Sequence, residues 1–387
     1  MKRQVIKFKF IGLLTGVIMF SVFTLGGCKK DQSTNPQPIP NRVIENNIKA
    51  ILDSVIANTH VPGLVAGIWA PDEGVEMVYT AGVADLETNQ PMDADMVFRI
   101  ASNTKTVAIT VMLQLVDEGV LSLEDKLSQY LPDFPRGDEV TLEMLANMRS
   151  GIYNYVSSME FWTMVFTDPT HFWTIEEMID FTLNNHPGDL YVFDPGTGFY
   201  YSNTNTILIQ YIIELVTTKS LESLINERIL NPLKLENTIY IIGGTEIPGY
   251  HSKAYYFVDY DPEFPELSEF LDFSFARAAG GMISDIYDLK TYVQALTGNY
   301  FLSSSLQNKR MEGHPTGSSS GVNYGMGMLI YKDFYGHNGG APGYTSLMMH
   351  SVERNCTIVI WYNCYLGDAD PTQMLFKLPQ IIYSDFE

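Results

Sequence analysis

Basic residues are scarce in this chain, cysteines are scarcer, and internal repeats are missing. Its 24 lysines and arginines face 45 aspartates and glutamates, a formal net charge of −21 over 387 residues. A field of that sign repels nucleic acid and anionic membrane surfaces. With no basic stripe and no zinc-ligand spacing, nucleic acid is excluded as a partner, and neither a metal nor another cofactor is expected. Only three cysteines occur. Two of them, Cys356 and Cys364, share the strand-like run CTIVIWYNC. On one strand they would stand ~26 Å apart, beyond disulfide reach, so no structural disulfide is expected. What remains is 45% apolar and 12% aromatic, the composition of a soluble globular protein. The length suffices for one large domain or for two lobes about a cleft.

The one long apolar run lies at the amino terminus. Lys2, Arg3, Lys7 and Lys9 precede Ile11 to Leu25, a stretch shorter than the roughly 20 residues a spanning helix needs. That layout is a targeting segment and stands apart from the fold. It ends in Leu25-Gly26-Gly27-Cys28, which resembles a bacterial lipobox. The resemblance implies a lipoprotein signal peptide over residues 1–27 and a lipidated Cys28 as the mature terminus. An ordinary signal peptide with an incidental cysteine is the alternative. Lys29-Lys30-Asp31 looks like the surface-export signal of some Gram-negative lipoproteins. Residues 28–41 are polar and punctuated by proline, as a tether is. The expected location is the bacterial cell envelope, on its periplasmic or surface side, with the lipid as the only hold on the membrane.

Residues 42–387 read as one domain. Val43 to Ile56 has helical apolar spacing, and Leu64–Trp69 and Val75–Ala81 flank the turn Pro71-Asp72-Glu73-Gly74 as a hairpin. Behind Ser102 runs a helix apolar on nearly every side, hence buried on nearly every side. Leu121–Leu131 and Thr141–Met148 read as short helices, Thr174 opens a capping box before Ile175–Leu183, and Ile207–Val216 is amphipathic. Strand signals are few from about 115 to 240, so that stretch is a helical lobe. Tyr250–Phe275, rich in aromatic and acidic residues, reads as an irregular insertion over the surface. Ser284 is expected to cap a helix over Asp285–Leu296, and Tyr324–Tyr331, Thr345–His350 and Cys356–Tyr362 read as strands. The fold expected is α/β of the α+β type. Its mainly antiparallel sheet is flanked by helices and built from both chain ends, with an all-helical lobe inserted and the active site between them.

Three stretches could carry chemistry. Ser102 and Lys105 stand at i and i+3 on one helical face, where a lysine whose pKa is lowered by burial can take a hydroxyl proton. Tyr201 and Asn203 follow the turn at Pro195-Gly196 and offer a phenol for proton transfer and an amide for holding substrate. Gly336-His337-Asn338-Gly339-Gly340 reads as a glycine-rich turn before a strand, able to bring backbone N–H groups to a carbonyl. Each has a bland reading as well: a chance pair, a tyrosine-rich loop before a capped helix, an incidental histidine. Gly317-Ser318-Ser319-Ser320-Gly321 matches a nucleophile elbow by letter, but it lacks the flanking strand and helix and reads as a flexible loop.

Taken together, SNTK, YSN and HNG in this order resemble the serine hydrolases that include class C β-lactamases, serine DD-peptidases and related esterases. TLEMLANMRSGI, NPLKLENT, AAGGMISDIYDL, YGMGM and GHNGGAPGYTS support the likeness over roughly Val43 to Tyr383. The resemblance implies that Ser102 is the acylated nucleophile and that Lys105 and Tyr201 are its proton acceptor and partner. Asn203 would orient Lys105 and the substrate. His337, Asn338 and Gly339 would line the substrate, and the N–H groups of Ser102 and Gly340 would form the oxyanion hole. His337 and Asn338 depart from the lysine and threonine usual in β-lactamases. No arginine lies between Tyr324 and His337, only Lys332, so a cation for a terminal carboxylate is hard to find. The expected activity is hydrolysis of D-amino-acid-containing peptides, amides or esters through an acyl-enzyme. The alternatives are a class C-like β-lactamase or, in another class, a catalytically weak penicillin- or cell-wall-peptide-binding protein. The expected partners are thus small molecules or peptides: peptidoglycan fragments, D-amino-acid esters or β-lactams.

Overall fold

The strand-forming runs at the two ends of the domain find one another. A computed structural model describes residues 41–256, 266–365 and 370–386. The signal segment, Cys28, all of the tether but residue 41, and residues 257–265 of the insertion lie outside the described residues. In chain order the strands are β1 (Gly63–Ala70), β2 (Val75–Asp85), β3 (Gln90–Pro91), β4 (Phe98–Arg99), β5 (Ile239–Tyr240), β6 (Tyr255–Tyr256), β7 (Met282–Ser284), β8 (His314–Pro315), β9 (Asn323–Gly325), β10 (Met328–Tyr331), β11 (Phe334–Ala341), β12 (Tyr344–Ser351), β13 (Cys356–Tyr362) and β14 (Cys364–Tyr365). The helices are α1 (Asn41–Asn58), α2 (Thr104–Asp117), α3 (Leu142–Ala146), α4 (Met159–Thr167), α5 (Ile175–Asn184), α6 (Asn203–Thr217), α7 (Leu221–Ile225), α8 (Asn231–Leu233), α9 (Arg277–Gly280), α10 (Ile286–Thr297), α11 (Ser304–Arg310) and α12 (Thr372–Ile382).

Nine strands make one sheet in the order β3-β2-β1-β13-β12-β11-β10-β9-β8. Its ladders are antiparallel, and the two ends of the domain join where Leu64 of β1 faces Tyr362 of β13. Side chains alternate between its faces, as the strand period of two requires. Leu64, Ala66 and Ile68 of β1 and Ile358 and Ile360 of β13 enter a core closed by α1 and α12. Val65, Trp69, Val359 and Trp361 face the opposite way, into a larger core shared with α2 and α10. Covered on both faces, β12 and β13 are buried at every position.

The helical lobe carries α3 to α8. It is tied back by a small sheet in the order β4-β7-β5, in which β7 pairs both the strand just before Ser102 and the strand that ends the lobe. The capping box at Thr174 is present, with Glu177 returning the bond to the Thr174 N–H.

Several expectations need correcting. Leu121–Leu131 is a loop with one 3-10 turn at Leu127–Gln129, because the Asp125 carboxylate accepts from the Ser122 N–H and the Tyr130 hydroxyl and holds the chain in a turn. Asp285, not Ser284, caps α10, its carboxylate accepting from the N–H groups of Tyr287 and Asp288. Gly327, at φ +71°, splits the expected strand Tyr324–Tyr331 into the hairpin β9–β10. The glycines of the third stretch lie inside β11, and the turn comes later, where Gly343 has φ +94°. Cys356 and Cys364 do not share a strand, since Asn363 bends the chain between β13 and β14, and both are buried.

Candidate active site

Strand β4 delivers the chain to a strained turn. Ala101 sits at φ +50°, a left-handed conformation disfavoured for a residue with a Cβ. Ala101–Asn103 then makes a 3-10 turn, and α2 starts only at Thr104. The helix therefore begins after Ser102 rather than at it. Neighbouring elements hold the turn in place. Asn103 Nδ2 donates to the Ile100 carbonyl at 3.0 Å and to Ser346 Oγ of β12 at 2.8 Å. Ser346 Oγ donates to the same carbonyl at 3.0 Å. Strand β11 passes so close that a Cβ at Gly339 would stand 2.3 Å from the Ile100 oxygen. Gly339, expected against substrate, instead permits the strand to touch the nucleophile's turn.

Lys105 is fully buried. Its Nζ donates to Ser102 Oγ at 3.0 Å and to the Ala279 carbonyl of α9 at 2.6 Å. Burial alone, with no carboxylate to offset it, pushes its amine well below the usual lysine range. Tyr201 lies alongside, with Lys105 Nζ 5.0 Å from its ring centroid. The Tyr201 hydroxyl is buried without a well-formed hydrogen bond. Burial raises its pKa strongly, and the nearby Ser102 hydroxyl opposes this only in part. The two candidate bases are thus driven apart: the amine toward its neutral, proton-accepting form, the phenol toward its proton-holding form.

Asn203 does not reach Lys105. Its side-chain amide and its backbone N–H both donate to Asn154 Oδ1, at 3.3 and 3.1 Å, while its residue still lines the cavity beside Ser102. His337 is almost completely buried. Its Nδ1 is 2.5 Å from the Asn338 carbonyl, which can only accept, so Nδ1 carries the proton. Nε2 is then an acceptor, and the Tyr324 hydroxyl donates to it at 3.0 Å. Burial and the neighbouring Lys105 push the imidazole down to about 3. Tyr324 in turn stands edge-on to the Tyr201 ring, with centroids 5.9 Å apart. His337 therefore works behind the site, as a neutral acceptor that fixes Tyr324 and through it Tyr201. Asn338 turns away as well, its Nδ2 donating to Thr372 Oγ1 at the start of α12. Gly340 lines the cavity with Ser102, where the expected oxyanion hole requires both.

Ala279, Tyr324 and Asn154 were missed as site residues. Ala279 acts through its carbonyl, which no side-chain motif announces. Tyr324 opens the YGMGM segment, and that segment was its one signal.

The chain is similar to several known proteins. A family model described as Beta-lactamase matches residues 44–375. Penicillin-binding protein 4* of Bacillus subtilis (strain 168) is 25% identical over 309 residues, covering 75% of this chain and 66% of that protein. The chain thus spans about two thirds of the length of that curated relative. Among solved structures, a D-stereospecific amidohydrolase from Streptomyces sp. is 29% identical with a TM-score of 0.73, over 84% of this chain and 95% of that one. The D-amino acid amidase from Ochrobactrum anthropi SV3 complexed with D-phenylalanine is 26% identical with a TM-score of 0.77, over 88% and 99%.

Between its lowered native pKa and the ordinary value of 10.5, Lys105 carries a proton in the unfolded chain that it lacks in the native one. Stability therefore rises with pH through that window and is lowest below it. Lys105→Met is expected to raise the unfolding midpoint at neutral pH, flatten this slope and abolish acylation of Ser102, as read by thermal unfolding across pH and by intact mass. Tyr324→Ala, which removes the edge against Tyr201, should lower kcat on the order of 10²-fold, the cost of a misplaced catalytic group. Tyr324→Phe keeps the ring and should lose far less, with KM little changed in both variants.

Proposed function

Because the chain belongs to the Beta-lactamase family and is a serine hydrolase, we propose that it cleaves amides, esters or peptides of the DD-peptidase and amidase type through an acyl-enzyme on Ser102. The observation that carries this reading is the buried Lys105 amine, 3.0 Å from Ser102 Oγ and without a carboxylate partner. In its neutral form it takes the hydroxyl proton as Ser102 Oγ bonds to the substrate carbonyl carbon. The proton then passes by way of the Tyr201 phenol to the leaving nitrogen or oxygen as its bond to carbon breaks. Water releases the acyl group by the same route in reverse. Lys105 is the base in this scheme and Tyr201 the relay, because burial disfavours the phenolate.

The binding-module alternative gains no support, since a binder has no use for a desolvated amine against a hydroxyl. Rapid β-lactam turnover is disfavoured too. The position that holds lysine in β-lactamases is occupied here by a buried, neutral His337 that offers no cation to a carboxylate. The amino-terminal segment supports export and anchoring through Cys28 in the cell envelope.

Intact-mass analysis after mixing with esters and amides of D- and L-phenylalanine, both free and N-acetylated, should show one acyl group on the wild type and none on Ser102→Ala. Absence of any Ser102-dependent adduct or product would return the chain to the binding class. Cys28→Ala should move the protein from the membrane fraction to the soluble one, and unchanged membrane association would remove the anchor.

A further inference from the structure

The cavity beside Ser102 has a volume of about 190 Å³. An engineered apolar cavity of about 150 Å³ holds benzene, so an aromatic ring with a short linker fits here. Its walls are Tyr155, Trp162, Tyr256, Phe273, Phe275 and Tyr365. Two of the polar atoms of that wall are already spent. Tyr155 Oη donates to the Phe275 carbonyl at 2.6 Å, and Trp162 Nε1 donates to the Val156 carbonyl at 2.8 Å. Phe161 packs behind them, edge-on to Tyr155, Trp162 and Phe275, so the rings cannot easily turn. Among the described residues, no Asp, Glu, Lys, Arg or His lines the cavity. Two buried arginines behind the wall are already engaged. Arg99 lies over the Phe273 ring at 3.7 Å and donates to the Thr245 carbonyl, and Arg277 donates to the Trp173 carbonyl.

The side of the reaction that this cavity serves follows from what lines it. Ser102, Asn203 and Gly340 do; Lys105, Tyr201 and His337 do not. A leaving group must depart beside the group that returns its proton, hence toward Lys105 and Tyr201. The cavity is left for the acyl half.

Resting on the acyl-enzyme reading above, we propose that the natural substrate's acyl group is bulky, apolar and uncharged: an aryl-alkyl or N-acylated group rather than a free amino acid or a carboxylate-bearing one. A charge carried into this cavity finds no counter-charge among the described residues and loses its water. The aromatic faces would attract a cation, but among the described residues no carboxylate lines the cavity to complete a cage.

Three p-nitroanilides with the same leaving group test this: 3-phenylpropionyl, D-phenylalanyl, which adds an α-ammonium, and benzylmalonyl, which adds an α-carboxylate. The wild type should acylate and turn over the first at least tenfold faster in kcat/KM than either charged compound. Met159 lines the cavity at the exposed first turn of α4, where a carboxylate suits the helix terminus. Met159→Glu should raise the D-phenylalanyl to phenylpropionyl ratio at least tenfold, a ratio that does not depend on how much protein folds. Equal or faster wild-type turnover of a charged compound overturns the proposal while leaving the acyl-enzyme intact. Failure of all three, and of p-nitrophenyl acetate, to label Ser102 overturns the acyl-enzyme reading and this proposal with it.

Discussion

A lysine amine held out of water against a serine hydroxyl is the constraint around which this fold is arranged. Removing Lys105 from water without giving it a carboxylate costs stability, and the surrounding structure has to supply it. Helix α2 is buried along nearly its whole length, and a desolvated cation braces it: Arg310 donates to Thr110 Oγ1 and to the Thr106 carbonyl. The Ala279 carbonyl gives Lys105 one fixed acceptor, and β7 sets α9 in place to present it. The left-handed Ala101 stores a further local strain of about 1–3 kcal/mol, held by Asn103 and Ser346 from either side. Sheet, lobe and small sheet meet at this point because each supplies one wall of the dry site.

The third stretch shows how one position can keep its place and change its work. In β11, His337 points to Tyr324 and not to substrate, and Asn338 points to Thr372. A lysine at position 337 would present a charge. The histidine presents a neutral lone pair, and the tyrosine that binds it becomes part of the wall against Tyr201. The residues of this stretch act on the chemistry through packing and hydrogen-bond direction, with Gly340 left at the cavity.

Much of this was legible in the sequence. The sheet from both chain ends followed from where the strand runs lie, and Ser102, Lys105 and Tyr201 followed from the order of three motifs. The direction of Lys105's pKa followed from the apolar helix behind it. Other features were not legible, for physical reasons. Glycines in β11 imitate a turn because the same lack of a Cβ serves a turn and a close strand-to-turn contact. Asp285 and Ser284 are both good caps, and only the pairing of β7 decides between them. The Ala279 carbonyl and the direction of the His337 hydrogen bonds are properties of backbone placement, which residue identity does not encode.

The pairing of β1 with β13 carries a consequence for how the molecule comes into being. The first strand of the domain leaves the ribosome with its hairpin partner β2, but its other neighbour, β13, begins only at Cys356. Until then the middle of the sheet has an open edge, and α1 has neither the rest of its core nor α12 to close it. The helical lobe, built from contacts closer in sequence, can collapse earlier. The chain therefore stays incomplete, with its nucleophile turn unanchored by Ser346, until β12 and β13 have been made. The turn that carries the reactive serine thus depends on strands far along the chain for its anchor.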